Sequence, residues 1–189
     1  SWQLASENIE LSPFAGYVAN ILPPSNSFSE FLQNSDLSLA VDRVDWSIEK
    51  VDDIWRSPKL SIEFSELSYR PWNDIPRLNG LKGNIQFDGS FGAAEIQAEK
   101  SEFEFSQLFR HAIYAERFQS RLRWKMSDGN FALKVERFEL QNADFELNAR
   151  AHFFTQNEQP ELSLYSEIKN FNAASKSKYL PVGIMSEYL

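Results

Sequence analysis

From about Asp36 to Ile168 the chain alternates apolar and polar residues with a period of two. That spacing puts every second side chain of an extended strand on one side, so it constrains the fold towards sheet and away from helix. Leu37, Leu39 and Val41 alternate with mostly polar neighbours. So do Leu60, Ile62 and Phe64, then Ile85 and Phe87, then Phe103 and Phe105. Leu122, Trp124 and Met126 follow, then Phe131, Leu133 and Val135, then Phe145, Leu147, Ala149 and Ala151, and last Leu162, Leu164 and Ile168. The residues between them include Glu63, Glu102, Glu104, Arg121, Arg123, Lys125 and Arg150. One greasy and one wet face is the pattern of antiparallel sheet.

Turn chemistry supports hairpins. Asp88-Gly89 and Asp128-Gly129 each sit between alternating runs, and Asp-Gly accepts the positive φ angles of tight turns. Gly80 and Gly83 read as a tight turn and a close strand approach. Ser106–Gln119 reads as turn and strand. Helical signals lie at the ends: Ser12 before Pro13, the capping box Ser27-x-x-Glu30, and Asn172 before Ala173-Ala174. The expected organisation is a helical junction over 1–35, a sheet over 36–170 and a second helical junction over 171–189.

Composition excludes several functions. Lys and Arg number 19 against 27 Asp and Glu, a net charge of −8; phosphate backbones need a basic surface, so no nucleic-acid partner is expected. Without cysteine there is no disulfide framework and no thiolate metal site. His111 and His152 lack partners at ligand spacing, so neither metal nor cofactor is expected. Asp52-Asp53 and Glu102/Glu104 read as solvated turns or strand faces. No nucleophile elbow, phosphate loop or dinucleotide fingerprint occurs, and the chain is not expected to be an enzyme.

The two ends resemble each other. Leu22-Pro23-Pro24 precedes Ser29-Glu30-Phe31-Leu32, and Leu180-Pro181-Val182 precedes Ser186-Glu187-Tyr188-Leu189. Upstream, Leu11-Ser12 matches Phe171-Asn172. Either Leu-Pro and Ser-Glu recur by chance at helix entries, or the chain carries a repeat of about 160 residues and is one unit of a longer one; the second is the expectation.

The run Trp72-Asn73-Asp74-Ile75-Pro76-Arg77-Leu78-Asn79-Gly80-Leu81-Lys82-Gly83-Asn84-Ile85 resembles the Pro-x-Leu-x-Gly-Leu-x-Gly-x-Ile signature of the YhdP family, relatives of AsmA-like proteins. Leu122-Arg123-Trp124, Phe138-Glu139-Leu140 and Tyr179-Leu180-Pro181 fall where that family has comparable residues. The resemblance implies a mainly β fold: a long, strongly curved antiparallel sheet, a taco-like open groove with short helices near both ends. It implies a periplasm-facing part of an inner-membrane-anchored protein that conducts phospholipids between inner and outer membranes. The partners implied are phospholipid acyl chains and neighbouring repeats of the same chain. The expected groove lining is Leu60, Ile62, Phe64, Ile85, Phe87, Phe103, Phe105, Leu122, Trp124, Phe131, Leu133, Phe145 and Leu147, with one parity held within each strand. Read from the residues alone, the same stripes fit a β-sandwich core. A structural or interaction β-repeat of an envelope protein, with no lipid cargo, is the alternative.

Overall fold

The computed structural model describes residues 2–10, 34–56, 58–70, 77–105, 109–127, 130–156 and 159–180. The strands in chain order are β1 (Trp2–Glu10), β2 (Ser38–Ile48), β3 (Lys50–Val51), β4 (Ile54–Trp55), β5 (Lys59–Tyr69), β6 (Arg77–Phe87), β7 (Phe91–Glu104), β8 (Ile113–Ser127), β9 (Asn130–Gln141), β10 (Glu146–Gln156) and β11 (Gln159–Lys169). Nine of them form one sheet in the order β1-β2-β5-β6-β7-β8-β9-β10-β11. Every pair is antiparallel, and among the described residues β1 and β11 are the edges of the sheet. The fold is mainly β and the sheet is open rather than a closed barrel.

Each sheet strand beyond β2 lies beside its predecessor, so hairpins do most of the folding. At the β6–β7 turn, Asp88 N–H donates to Phe91 O at 2.9 Å and Phe91 N–H donates to Asp88 Oδ1 at 2.9 Å. The Asp128-Gly129 turn lies outside the described residues, but Ser127 and Asn130 pair on either side of it. β3 and β4 form a small separate hairpin whose turn residues Asp52 and Asp53 both have positive φ, at 50° and 60°. Ser106–Gln119 resolves, where described, into a turn and the start of β8.

The two ends differ from expectation in detail. Trp2-Gln3-Leu4, which reads as strand although it precedes the helix signals of the N-terminal junction, belongs to edge strand β1, which runs over residues 2–10 along β2. Residues 11–33, which carry the Ser12 and Ser27 caps, lie outside the described residues, as do 181–189 with the second half of the end-to-end match. Asn172 does cap a helix, accepting from Ala174 N–H at 3.1 Å, but the turn it starts is the 3₁₀ segment Ala173–Tyr179.

The larger difference is parity. The apolar face does not keep one parity within each strand; it switches in the middle of most of them. On β2 the inward residues are Leu39 and Val41, then Val44 and Trp46. On β5 they are Leu60, Ile62 and Phe64, then Leu67 and Tyr69. The same three-residue step occurs from Leu78 to Leu81 on β6, Ala98 to Ser101 on β7, Ala115 to Phe118 on β8 and Val135 to Phe138 on β9. Register shifts occur where two neighbours take the step at different rungs, as between β2 and β5 and between β5 and β6, or where only β9 takes it along the paired stretch, as between β8 and β9. Where β7 and β8 step together, Ala98 facing Phe118 and Ser101 facing Ala115, no shift occurs.

Physically these are β-bulges: two consecutive residues point outward, the strand bends and its twist increases. Lys100, at φ 53°, and Gly80, at φ 65°, supply the left-handed backbone that two of them use. Together the bulges form a crease across the sheet. The most buried apolar side chains flank it: Val41, Phe64, Leu81, Ala98, Ala115 and Phe118 are all 5% exposed or less. The apolar face therefore lies on the inside of the bend.

Candidate functional site

Because directly opposed residues of an antiparallel ladder share a face, the registers show what that inner face contains. One unbroken rung runs across all nine strands: Leu4, Trp46, Leu60, Phe87, Gly92, Trp124, Leu133, Phe153 and Leu162. A second runs Ser6, Val44, Ile62, Ile85, Ala94, Leu122, Val135, Ala151 and Leu164. Neither contains a charge.

The thirteen residues expected to line the face all fall on it. Leu60, Phe87, Trp124 and Leu133 are on the first rung, and Ile62, Ile85 and Leu122 on the second. Met126 opposes Phe131, which extends β9's inner set beyond Leu133. Phe64, Phe103, Phe105, Phe145 and Leu147 join the cluster at and beyond the crease, with Leu81, Phe118 and Leu140. Within it Phe103 meets Phe118 at 4.9 Å and Phe118 meets Phe138 at 5.3 Å, both edge to face. Such pairs each add roughly 0.5–1.5 kcal/mol beyond area burial.

Several lining residues were not anticipated. Val44, Trp46, Leu67, Phe118, Phe138 and Leu140 follow a bulge and so carry the opposite parity from the run before it. Phe153 kept the parity of Leu147 and was legible. Leu4 lies in the strand-like start Trp2-Gln3-Leu4, outside the run from Asp36 to Ile168 from which the lining is read.

The face is filled at one end and open at the other. The crease cluster is packed, whereas Trp46, Leu60, Phe87, Trp124 and Leu133 are only half-buried. An open cavity of about 790 Å³ lies at this end, lined by Leu4, Trp46, Leu60, Phe87 and Trp124, with Lys59 and Arg123 also lining it. Trp124 lies so close over Gly92 that any Cβ there would overlap the indole. Gly83 meets a neighbouring strand as expected, a Cβ there colliding with the Glu95 carbonyl. At both edges the apolar face is bare: Leu4 is 63% exposed, Leu162 and Leu164 66% each.

The whole chain, residues 1–189, matches the family described as YhdP protein. The chain belongs to the YhdP family. No curated protein and no solved structure matches it.

The outer face of this YhdP-family sheet is charged. Arg121 pairs with Glu95 at 2.7 Å, Arg123 with Glu136 at 3.4 Å and Arg137 with Glu139 at 3.2 Å. Arg121–Glu95 is directly cross-strand, Arg123–Glu136 diagonal and Arg137–Glu139 within β9; together they offset like charges that sit directly opposite, Arg121 with Arg137 and Arg123 with Lys134. Being half-exposed, each contributes less than about 1 kcal/mol. His152 sits on this outer face opposite Lys134, and His111 is exposed in the turn before β8. Among the described residues no three His, Asp or Glu side chains are grouped to hold a metal, and no helix is long and apolar enough to cross a membrane.

A polar cluster around Asp144 closes the far end of the apolar face. Asp144, in the β9–β10 turn, accepts from Ser175 Oγ at 2.7 Å, Tyr179 Oη at 2.7 Å, Asn172 Nδ2 at 3.1 Å and Lys178 Nζ at 3.3 Å. The hydrogen bonds from Ser175 and Tyr179 lower its pKa to about 2. Burial, and then the Asp144 carboxylate, push the Tyr179 phenol up to about 12. The Tyr179 ring packs on Phe145 at 4.9 Å. A 3₁₀ turn with no buried residue of its own is thus fastened over the last buried phenylalanine.

Proposed function

We propose that this chain is a non-catalytic segment of a bridge-like conduit whose inner face carries phospholipid acyl chains between the inner and outer membranes across the periplasm. The observation that carries the reading is the uncharged rung from Leu4 to Leu162, crossing every strand and ending exposed at both edges. Membership of the YhdP family supports it. Moving an acyl chain through water exposes about 0.8 kcal/mol per CH₂, hence on the order of 10 kcal/mol per chain. A greasy face continuous across the sheet removes most of that barrier and requires no selective site. Nine strands at about 4.8 Å spacing span on the order of 40 Å, so several such units in one longer chain are needed to bridge an envelope.

The half-buried row from Trp46 to Leu133 is where the acyl chain lies, since the crease cluster is already filled with side chains. Photo-crosslinkers at Leu60, Phe87 and Leu133 should capture phospholipid in the full-length protein, and those at Glu63, Glu95 and Arg121 on the outer face should not. Equal capture from both faces, or none from either, would sink the conduit and favour a structural repeat.

A further inference from the structure

Edge strands β1 and β11 are alike in sequence. At a separation of 160 positions, Trp2-Gln3-Leu4-Ala5-Ser6-Glu7 aligns with Leu162-Ser163-Leu164-Tyr165-Ser166-Glu167, with Leu, Ser and Glu identical. The alignment continues into the helix entry, Leu11-Ser12 against Phe171-Asn172. The two strands also occupy equivalent places. Each carries its Leu and Ser on the inner face and its Glu on the outer face.

They differ in their neighbours. Among the described residues β1 is paired on one side only, by β2, and β11 on one side only, by β10. If β1 and β11 are the same strand one unit apart, each shows the partner that the other lacks. We propose that the free edge of β11 is the docking site for a strand equivalent to β2, belonging to the following unit of the same longer chain, and that it docks antiparallel in the β1–β2 register.

The repeating unit is then β2 to β11 without the β3–β4 hairpin, which is eight sheet strands. An even number preserves the up-and-down alternation, so the sheet continues with antiparallel pairs throughout. Joining β11 directly to another β1 would instead make a parallel pair, because nine alternating strands leave β1 and β11 pointing the same way.

The register follows residue by residue. Trp2 faces Ile48, Leu4 faces Trp46, and Glu7 faces Arg43 on the outer side. Leu162 then faces the next Ile48, Leu164 the next Trp46 and Glu167 the next Arg43. This seats the exposed Leu162 and Leu164 against apolar partners and gives Glu167 an opposite charge, which accounts for a long apolar edge strand that would otherwise invite aggregation. Leu4's rung reaches Leu162, whereas its sequence equivalent is Leu164. The rungs therefore advance two residues, about 7 Å, along the strand per unit, and the inner face runs obliquely to the strands.

The proposal rests on reading the chain as one unit of a longer array, and not on lipid passage. The test appends a second copy of residues 33–56 directly after Leu189, where Ser186-Glu187-Tyr188-Leu189 matches Ser29-Glu30-Phe31-Leu32. The chain has no cysteine, so introduced pairs report without background. Ser163→Cys with Ser47→Cys in the appended copy should close a disulfide in high yield under mild oxidation. Ser163→Cys with Arg43→Cys in the appended copy should not, being four residues out of register. Gln3→Cys with the appended Ser47→Cys should not either, because β1 keeps its own β2. Linking in either control pair, or no linking in the first, overturns the assignment, while leaving the outcome of lipid photo-capture untouched.

Discussion

Tyr179 donates its hydroxyl to Asp144 at 2.7 Å while its ring packs against Phe145, the residue next to that aspartate. One side chain thus couples a polar clamp to the end of the apolar face. Tyr179→Phe keeps the ring contact and loses the hydrogen bond, and should lower stability by on the order of 1 kcal/mol. Urea unfolding of the two proteins measures it.

The clamp also fixes a pH response. Asp144 has its pKa lowered to about 2 in the fold, against about 4 for an ordinary carboxyl. Its contribution is therefore fully present above pH 4 and lost as pH falls through about 2. Tyr179 is shifted the other way, from 10.0 to about 12, so its contribution is present below pH 10 and lost as pH rises through about 12. In Asp144→Asn the loss of stability between pH 4 and pH 2 should be shallower than in the wild type. The Tyr179 phenol should also ionise at a lower pH, read from absorbance difference spectra against Tyr179→Phe.

Gly92 predicts a different kind of failure. It is buried beneath the Trp124 indole, in the space a side chain would fill. Gly92→Ala should push Trp124 off the inner face and cost roughly 1–3 kcal/mol, the usual range for overpacking. A red-shifted tryptophan emission, with a lower denaturation midpoint, is the expected result. An unchanged spectrum would mean that the glycine is not what seats the indole.

Sequence pattern made the sheet, its one apolar face and most of the lining residues legible, because period-two alternation is a local property. The bulges were not anticipated, because a bulge is defined by what the neighbouring strand does. Their trace is nevertheless in the chain, as an apolar step of three inside runs stepping by two: Val41 to Val44, Phe64 to Leu67, Ala115 to Phe118, Val135 to Phe138. A rule of constant parity within a strand hid Trp46 on the half-open rung and Phe118 in the packed crease. β1 is legible only in part: Trp2-Gln3-Leu4 reads as strand, but so short an alternation gives no sign that the strand joins the sheet beside β2.

At the crease, Lys100 holds a left-handed backbone at φ 53° without being glycine. Such a conformation costs a side-chain-bearing residue roughly 1–2 kcal/mol. Lys100→Gly should recover on the order of 1 kcal/mol despite the greater freedom glycine has when unfolded, and Lys100→Val should lose stability. Thermal midpoints of the pair decide it: the reverse order would mean that this bulge is not strained at Lys100.

The two ends of the apolar face should answer differently to substitution. Phe118 is 5% exposed and touches both Phe103 and Phe138, so Phe118→Ala leaves a cavity inside the packed crease. It should cost about 3–5 kcal/mol. Leu133 lies on the half-open rung opposite Trp124 and Phe153. A carboxylate there keeps access to water through the opening, so Leu133→Asp should cost clearly less than Phe118→Ala in unfolding measurements. Its effect on passage should be the larger one, because a charge midway along an uncharged rung raises the barrier for every acyl chain that crosses it. The expected pair of results is a well-folded Leu133→Asp protein that no longer captures lipid at Leu60 and Phe87, beside a destabilised Phe118→Ala protein that still does so while folded. If Leu133→Asp instead unfolds the sheet as readily as Phe118→Ala, the open rung is ordinary core, and the inner face packs like one side of a sandwich rather than standing open to a cargo.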